Sequence, residues 1–402
     1  MPSSPTILSA YEQLLSELAE ELGALARKDL CRTCTTIERV DGPLVRIAGH
    51  ELVSWCSNDY LGLSQHPALA AAAAQAAAEW GVGARAARLL AGTSRWHTRL
   101  EERLAAWFGT EAALVYPSGY LANLGTIGAL LSSRDAVVID RLAHASLFDA
   151  ARGSRATLRV FRHNDIEHLA TLLARSHGGR RLIITEGLFS MDGDAAPLAR
   201  LLEVARTHGA LVYLDDAHGA FVLGPTGRGT PEAAGLSHQD AFLYMGTLGK
   251  ALGCQGGFVV GPRTLIDFLR NRARTFIYTT ALAIPVAAAA VAALELLDRE
   301  PCHLERLRMR VASLQGRLER CSIGQGLPMA VRSHIVPLVV SETRRALALA
   351  QHLWEYGHWA PAIRPPTVPE GRARLRLSVT AGHTDTQIES LVVALERIWT
   401  SR

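Results

Sequence analysis

The chain has 402 residues, 49% of them hydrophobic and 20% charged, with a net charge of +4. That length is too great for one simple core and predicts a large domain with a smaller one beside it. The slight basic excess is spread along the chain and gives no reason to expect nucleic acid. Six irregularly spaced cysteines, with no secretory signal ahead of them, fit a reduced cytoplasmic compartment.

Residues 7–27 place Tyr11, Leu14, Leu15, Leu18 and Leu22 at helical spacing, an amphipathic N-terminal helix. Cys31-Arg32-Thr33-Cys34 is formally a CxxC, but no second ligand pair follows at zinc spacing, and no metal is expected. Leu44–Ile47 and Leu52–Trp55 read as a hairpin turning at Gly49-His50. Short apolar strands are then predicted at Ala112–Tyr116, Ala136–Ile139, Leu158–Phe161, Leu182–Thr185, Leu211–Leu214, Ala241–Tyr244 and Gly257–Val260, with helices such as Leu198–His208 between many of them. Strands apolar throughout and separated by helices imply an α/β domain around a mainly parallel sheet covered on both faces. Ligands of such sheets bind at the carboxyl ends of the strands. Ala281–Leu294 is almost wholly apolar, but a membrane span needs about 20 strongly apolar residues, so it reads as a buried core helix and no membrane is expected. A helix at Leu304–Leu318, strands at Ile335–Val340 and Arg374–Val379, and helices at Arg344–Tyr356 and Asp385–Trp399 make a small α+β domain. The expected division is 1–55 for the N-terminal helix and hairpin, 56–295 for the large domain and 296–402 for the small one.

Two motifs carry chemistry. The strand Leu211-Val212-Tyr213-Leu214 runs into Asp215-Asp216-Ala217-His218-Gly219, and 32 residues after His218 stands Lys250, within Thr247-Leu248-Gly249-Lys250-Ala251-Leu252-Gly253. A phosphate loop requires G-x-x-x-x-G-K-[ST]; here Tyr244 occupies the first glycine position and Ala251 follows the lysine, so that reading fails. A lysine carrying pyridoxal phosphate (PLP) as a Schiff base fits, because small neighbours let a flat ring approach the backbone. The ring nitrogen needs a carboxylate, and Asp215 is the candidate. The ring oxygen needs a donor, for which His218 stands one turn away. Ser118-Gly119-Tyr120 opens a helix suited to a phosphate, Thr247 adds a hydroxyl, and His144 offers an imidazole to stack on the ring.

From about residue 30 onward the sequence resembles the α-oxoamine synthases, PLP enzymes of fold type I (aspartate-aminotransferase-like). The landmarks are Ser57-Asn58-Asp59-Tyr60-Leu61-Gly62-Leu63, Ser118-Gly119-Tyr120-Leu121-Ala122-Asn123, His144-Ala145-Ser146, His163-Asn164-Asp165, Phe189-Ser190-Met191-Asp192-Gly193-Asp194, Asp215-Asp216-Ala217-His218-Gly219 and Thr247-Leu248-Gly249-Lys250. The resemblance implies a seven-stranded large domain and a small C-terminal α+β domain. It implies that Lys250 holds the cofactor and acts as acid and base at the substrate Cα. Asp215 would pair with the ring nitrogen, His218 with the ring oxygen near Ser190, and His144 would stack over the ring. Gly119 and Tyr120 would seat the cofactor and Thr247 its phosphate. Thr279 and Thr280 would reach the phosphate of a neighbouring subunit, making a homodimer with a shared active site.

Members condense an amino acid with an acyl thioester and release CO2. The run Ala362-Ile363-Arg364-Pro365-Pro366-Thr367-Val368-Pro369, followed by Arg374-Leu375-Arg376-Leu377, most resembles the branch using L-alanine and a pimeloyl thioester, carried by CoA or an acyl carrier protein, in biotin synthesis. There Asn58 and Arg376 would hold the amino-acid carboxylate, while Arg32, Arg364 and Thr367 would line the substrate site. Trp55-Cys56-Ser57-Asn58-Asp59 and Gly249-Lys250-Ala251-Leu252-Gly253-Cys254 instead resemble the 5-aminolevulinate synthase forms, which use glycine and succinyl-CoA. Arg85 and Arg88, in a loop that is commonly Gly/Ser-rich, are expected to meet an acyl or CoA group or to face water. Other acyl-condensing members, an aminotransferase or decarboxylase on the same fold, and a non-catalytic scaffold subunit are the remaining readings.

Overall fold

The computed structural model describes residues 7–238, 242–321 and 333–400. A helix, Ile7–Arg27, leads into β1 (Arg39–Asp41), β2 (Leu44–Ile47) and β3 (His50–Ser54). The central strands are β4 (Ala112–Tyr116), β5 (Ala136–Asp140), β6 (Thr157–Phe161), β7 (Arg181–Glu186), β8 (Leu211–Asp215), β9 (Phe242–Thr247) and β10 (Gly257–Gly261). All seven expected strands are present, with Ala241 outside the described residues. The C-terminal strands are β11 (Ile335–Ser341), β12 (His358–Trp359), β13 (Ala362–Ile363) and β14 (Ala373–Ser378).

The central sheet runs β4-β10-β9-β8-β7-β5-β6. β9, β8, β7, β5 and β6 pair in parallel, and β10 alone runs antiparallel, between β4 and β9. Residues such as Val137, Val138, Ile183 and Ile184 are buried completely, as two covered faces require. The alanine-rich helix, Ile284–Arg299, packs against the helices Pro67–Trp80 and Arg95–Phe108, a core helix as its composition predicts. No helix among the described residues is long and apolar enough to cross a membrane.

Parallel strands gather their carboxyl ends on one edge. That edge collects Glu186 from β7, Asp215 from β8, Thr247 from β9 and the turn after Tyr116 of β4. Ser118 caps the helix Gly119–Leu130, accepting the Leu121 N–H at 3.2 Å. A Cβ on Gly257 would lie 2.5 Å from Gly119 N and Cα. Only glycine lets β10 pass so close to that helix start.

The small unit is an antiparallel sheet, β11-β14-β13, with the helices Cys302–Glu319, Thr343–Glu355 and Asp385–Thr400. The N-terminal hairpin joins it through β12, which pairs in parallel with β3. Val45, Ile47 and Leu52 pack there with Trp354 and Trp359. Buried Trp55 stacks on His383 at 4.0 Å and donates its indole N–H to His358 Nδ1 at 3.1 Å. Its carbonyl accepts the Ser378 N–H at 2.7 Å. The chain leaving β3 is thereby threaded along β14, which delivers Asn58 and Tyr60 to Arg376.

Candidate active site

At the carboxyl edge lies a cavity of about 150 Å³ lined by Gly119, Tyr120, Asn123, His144, Ser146, Glu186, Asp215, Ala217, His218, Met245, Thr247 and Lys250. Every residue expected to catalyse is in that lining. Lys250 follows β9 in a turn where the Cys254 N–H reaches Leu248 O at 3.0 Å. Burial pulls its pKa down to about 8, against the opposing charge of Asp215.

Lys250 Nζ lies 2.9 Å from His218 Nε2, and His218 Nδ1 lies 2.6 Å from Tyr60 Oη. The hydrogen-bond network assigns the tautomer. Lys250 donates to Nε2, the Nδ1–H donates to Tyr60, and the Tyr60 hydroxyl donates to Asn58 Oδ1 at 3.1 Å. Burial and the neighbouring Lys250 and Arg376 hold the His218 pKa well below its ordinary value, so the ring is a neutral relay.

Asp215 ends β8 and Asp216 follows it, the two side chains continuing the alternation of the strand to opposite sides. Asp215 accepts the Asn123 amide at 2.8 Å and the Ala217 N–H at 3.0 Å, so that both of its oxygens have a donor. Tyr213 orients Asn123 by donating to its carbonyl at 2.8 Å. Asp216 instead accepts from the Thr230 N–H at 2.7 Å and the Tyr244 hydroxyl at 2.9 Å. Burial raises its pKa to about 7. It is a structural acid, and the alternation separates it from its neighbour.

His144 precedes the helix Ala145–Gly153 and caps it, Nδ1 accepting the Ser146 N–H at 3.2 Å. Tyr120 meets its ring edge-on at 6.4 Å and donates to Asp149. The Thr247 hydroxyl donates to Gly256 O at 2.8 Å and accepts the Gly249 N–H at 3.1 Å. Ser190 contributes backbone, its N–H to Glu186 Oε2 at 3.3 Å and its carbonyl to Arg376 Nε at 2.6 Å.

Arg376 is buried on β14 and also donates to Asn58 Oδ1 at 3.3 Å, Ser378 Oγ at 2.9 Å and Tyr60 Oη at 3.1 Å. None of these acceptors is charged. Arg374, two residues earlier on the same strand, is instead paired with Asp192 at 2.8 Å. Arg32 and Arg364 form a separate pair of contacts: Arg32 donates to Pro365 O at 2.9 Å, and Arg364 to Cys31 O. Exposed Thr367 closes that turn through its N–H to Arg364 O. Thr279 and Thr280 are not in the cavity lining; Thr280 bridges to Ala87. Arg88 corrects its expectation. It is buried, with a two-pronged bond to Glu101 at 2.8 and 3.1 Å, and is not free to meet an acyl group. Exposed Arg85 donates to Trp80 O at 3.3 Å.

Tyr60, Asn123 and Glu186 are site residues to which sequence reasoning gave no role. Tyr60 and Asn123 stand inside quoted landmarks. Glu186 repeats the signal that marked Asp215, an acid ending an apolar strand.

Residues 50–395 match the aminotransferase class I and II family. The chain belongs to that family. Among curated relatives, 8-amino-7-oxononanoate synthase of Anaeromyxobacter dehalogenans is 48% identical over 386 residues, 96% of each chain. The enzyme of the same name from Saccharophagus degradans is 45% identical over 387 residues, 96% of this chain and 97% of the other. Among solved structures, a serine palmitoyltransferase from S. paucimobilis with a bound PLP–myriocin aldimine superposes with a TM-score of 0.89 at 31% identity, covering 98% of this chain and 99% of the other. An 8-amino-7-oxononanoate synthase from Francisella tularensis superposes with a TM-score of 0.74 at 25% identity, over 87% and 98%.

The chain is an α-oxoamine synthase of fold type I, most like 8-amino-7-oxononanoate synthase, and a PLP-dependent acyltransferase. The cavity suits the cofactor. It offers a buried lysine of lowered pKa, a carboxyl group with both oxygens oriented, an imidazole in the lining and a capped helix start beside a threonine.

Proposed function

We propose that the chain condenses L-alanine with a pimeloyl thioester, of CoA or of an acyl carrier protein, releasing the thiol and CO2 to give 8-amino-7-oxononanoate. The observation that carries this is Arg376. A buried guanidinium whose bonds all go to neutral oxygens is a ready partner for a carboxylate. It is joined through Tyr60 and His218 to Lys250, so an amino acid anchored there has its Cα near the lysine.

PLP, when bound at Lys250, supplies the electron sink for a carbanion at the amino-acid Cα. Asp215 keeps the proton on the ring nitrogen. With Lys250 no longer donating to it, His218 would take the other tautomer, Nδ1 accepting from the Tyr60 hydroxyl and the Nε2–H held for the ring oxygen, and His144 would cover the ring face. Gly119, Tyr120 and Thr247 seat the phosphate, and Ser190 lies close to the ring oxygen. Arg376 and Asn58 fix the carboxylate, and Lys250 takes the Cα proton once its amine is free. His144 polarises the thioester carbonyl, and Arg32, Arg364 and Thr367 line the acyl approach. The relatives' shared name supports alanine and the pimeloyl chain. We also assign a homodimer in which Thr279 and Thr280 serve the second copy's cofactor phosphate, which fits their place outside their own cavity.

The test is a matrix of amino acids against acyl thioesters scored by free thiol released. Alanine with pimeloyl-CoA or its carrier-protein ester is expected to be fastest. Preference for glycine with succinyl-CoA would replace this reading with that of 5-aminolevulinate synthases. Cofactor binding without any thiol release would point to a scaffold subunit.

A further inference from the structure

Glu186 ends β7 directly across from Asp215, its partner in the parallel register with β8. Both residues are buried and line the same cavity. Two acids held this close do not both ionise readily. Asp215 has the partners of an anion, the Asn123 amide and the Ala217 N–H. Glu186 has a different set. Its Oε2 accepts the Ser190 N–H at 3.3 Å, and its carboxyl also accepts from the backbone of His144. Its Oε1 is buried without a hydrogen-bond partner among the described residues.

Burial first, and then the charge of Asp215, push the Glu186 pKa well above the ordinary carboxyl range. Lys250 beyond β9 pulls the other way. Because Asp215 is already oriented as the anion, Glu186 is the member of the pair that keeps its proton.

We propose that Glu186 is a positioning residue: an uncharged carboxylic acid that pins the backbone of His144 and of Ser190 at the cofactor cavity and leaves Asp215 as the one anion in its lining. The two anchored loops follow β5 and β7. One carries the imidazole assigned to the ring face, the other the carbonyl that fixes Arg376. The proposal rests on the cofactor placement given above.

The experiment uses full-length protein, PLP and two variants, Glu186→Gln and Glu186→Ala. It follows the visible band of the lysine-bound cofactor as a function of pH and of PLP concentration. Glutamine copies a neutral acid and keeps an oxygen for both N–H groups. It is expected to move the band's titration midpoint by less than about half a unit and to hold PLP as wild type does. Alanine removes both bonds and is expected to weaken PLP retention by roughly tenfold.

An anionic Glu186 would favour the protonated lysine nitrogen. Its loss in the glutamine variant would therefore lower the midpoint by about a unit or more, and that result overturns the proposal. Tight PLP binding by the alanine variant overturns it too. If alanine fails to fold, the near-isosteric glutamine variant decides, and its loss of PLP counts against the proposal. A wild-type protein that forms no band would sink the cofactor placement itself, a different failure.

Discussion

Lys250 reacts through its unprotonated amine, and the structure sets how often that form exists. Burial lowers its pKa to about 8 while the charge of Asp215 holds it up. The rate at which PLP-free protein captures PLP is expected to climb with pH and level off above about 8, followed by stopped-flow absorbance. A rate independent of pH would reject this. Asp215→Asn removes a charge that raises the lysine pKa, so the capture profile of that variant should move to lower pH. Its turnover should fall by roughly 10²-fold or more, since an oriented electrostatic partner is lost. Arg376 makes a separable prediction. Arg376→Lys keeps the charge but loses the planar fork and its hold on Asn58 and Ser190. The KM for the amino acid should rise by roughly tenfold or more, with the PLP band unchanged in position; an unchanged KM would remove Arg376 from the carboxylate site.

At the scale of elements, the turn that presents Ser190 is held by a histidine clamp. His163, after β6, bonds Asp140 Oδ1 of β5 at 3.0 Å and Asp194 Oδ2 at 2.8 Å. Its ring meets Phe189 edge-on at 4.4 Å. Burial works against the charged ring, but the two aspartates outweigh it and raise the His163 pKa from 6.5 to about 10. A raised folded-state pKa gives stability that is complete below the unfolded value and is lost as pH rises through the folded one. The urea midpoint should therefore decline from near pH 6.5 toward pH 10, and decline less in His163→Asn; equal slopes would remove the clamp from the account. His163-Asn164-Asp165 was legible as a landmark, but its partners lie on other elements, and spacing along a chain does not report them. The same limit separates what was readable from what was not. The inner strands of the central sheet stood out as apolar runs, because burial on both faces erases polar positions, while the edge strand β6 carries Arg159 and is buried only at Phe161. The reversed direction of β10 did not, because hydrophobic pattern carries no polarity. β12 is two residues long, too short for any period, yet it binds the hairpin to the small unit. Asp215, His218 and Lys250 were readable because each sits at a strand end or in a glycine-rich turn, whereas Tyr60 takes its role from contacts with His218 and Arg376, far away in sequence.

At the scale of the molecule, two surfaces carry apolar side chains without cover in the single chain. On the helix Ile7–Arg27, Tyr11, Leu14, Leu15, Leu18 and Leu22 form the expected stripe but face outward, Tyr11 and Leu22 being 59% and 61% exposed. On the strip where Thr280 bridges Ala87 and the Ala281 N–H meets Ala86 O, Leu90 is 80% and Tyr278 71% exposed. Contiguous exposed apolar surface of this kind marks an association site, and the second strip flanks the two threonines assigned to the other copy's phosphate. The chain is therefore expected to sediment as a dimer of its 43.4 kDa protomer. Leu90→Glu places a charge in that strip without touching the cavity lining, and should shift the sedimentation toward monomer. If Thr279 and Thr280 act across the interface, PLP retention by this variant must then depend on protein concentration, recovering as dimer is forced by mass action. A monomeric Leu90→Glu protein that keeps PLP as tightly as wild type at every concentration would show each active site to be complete within its own chain.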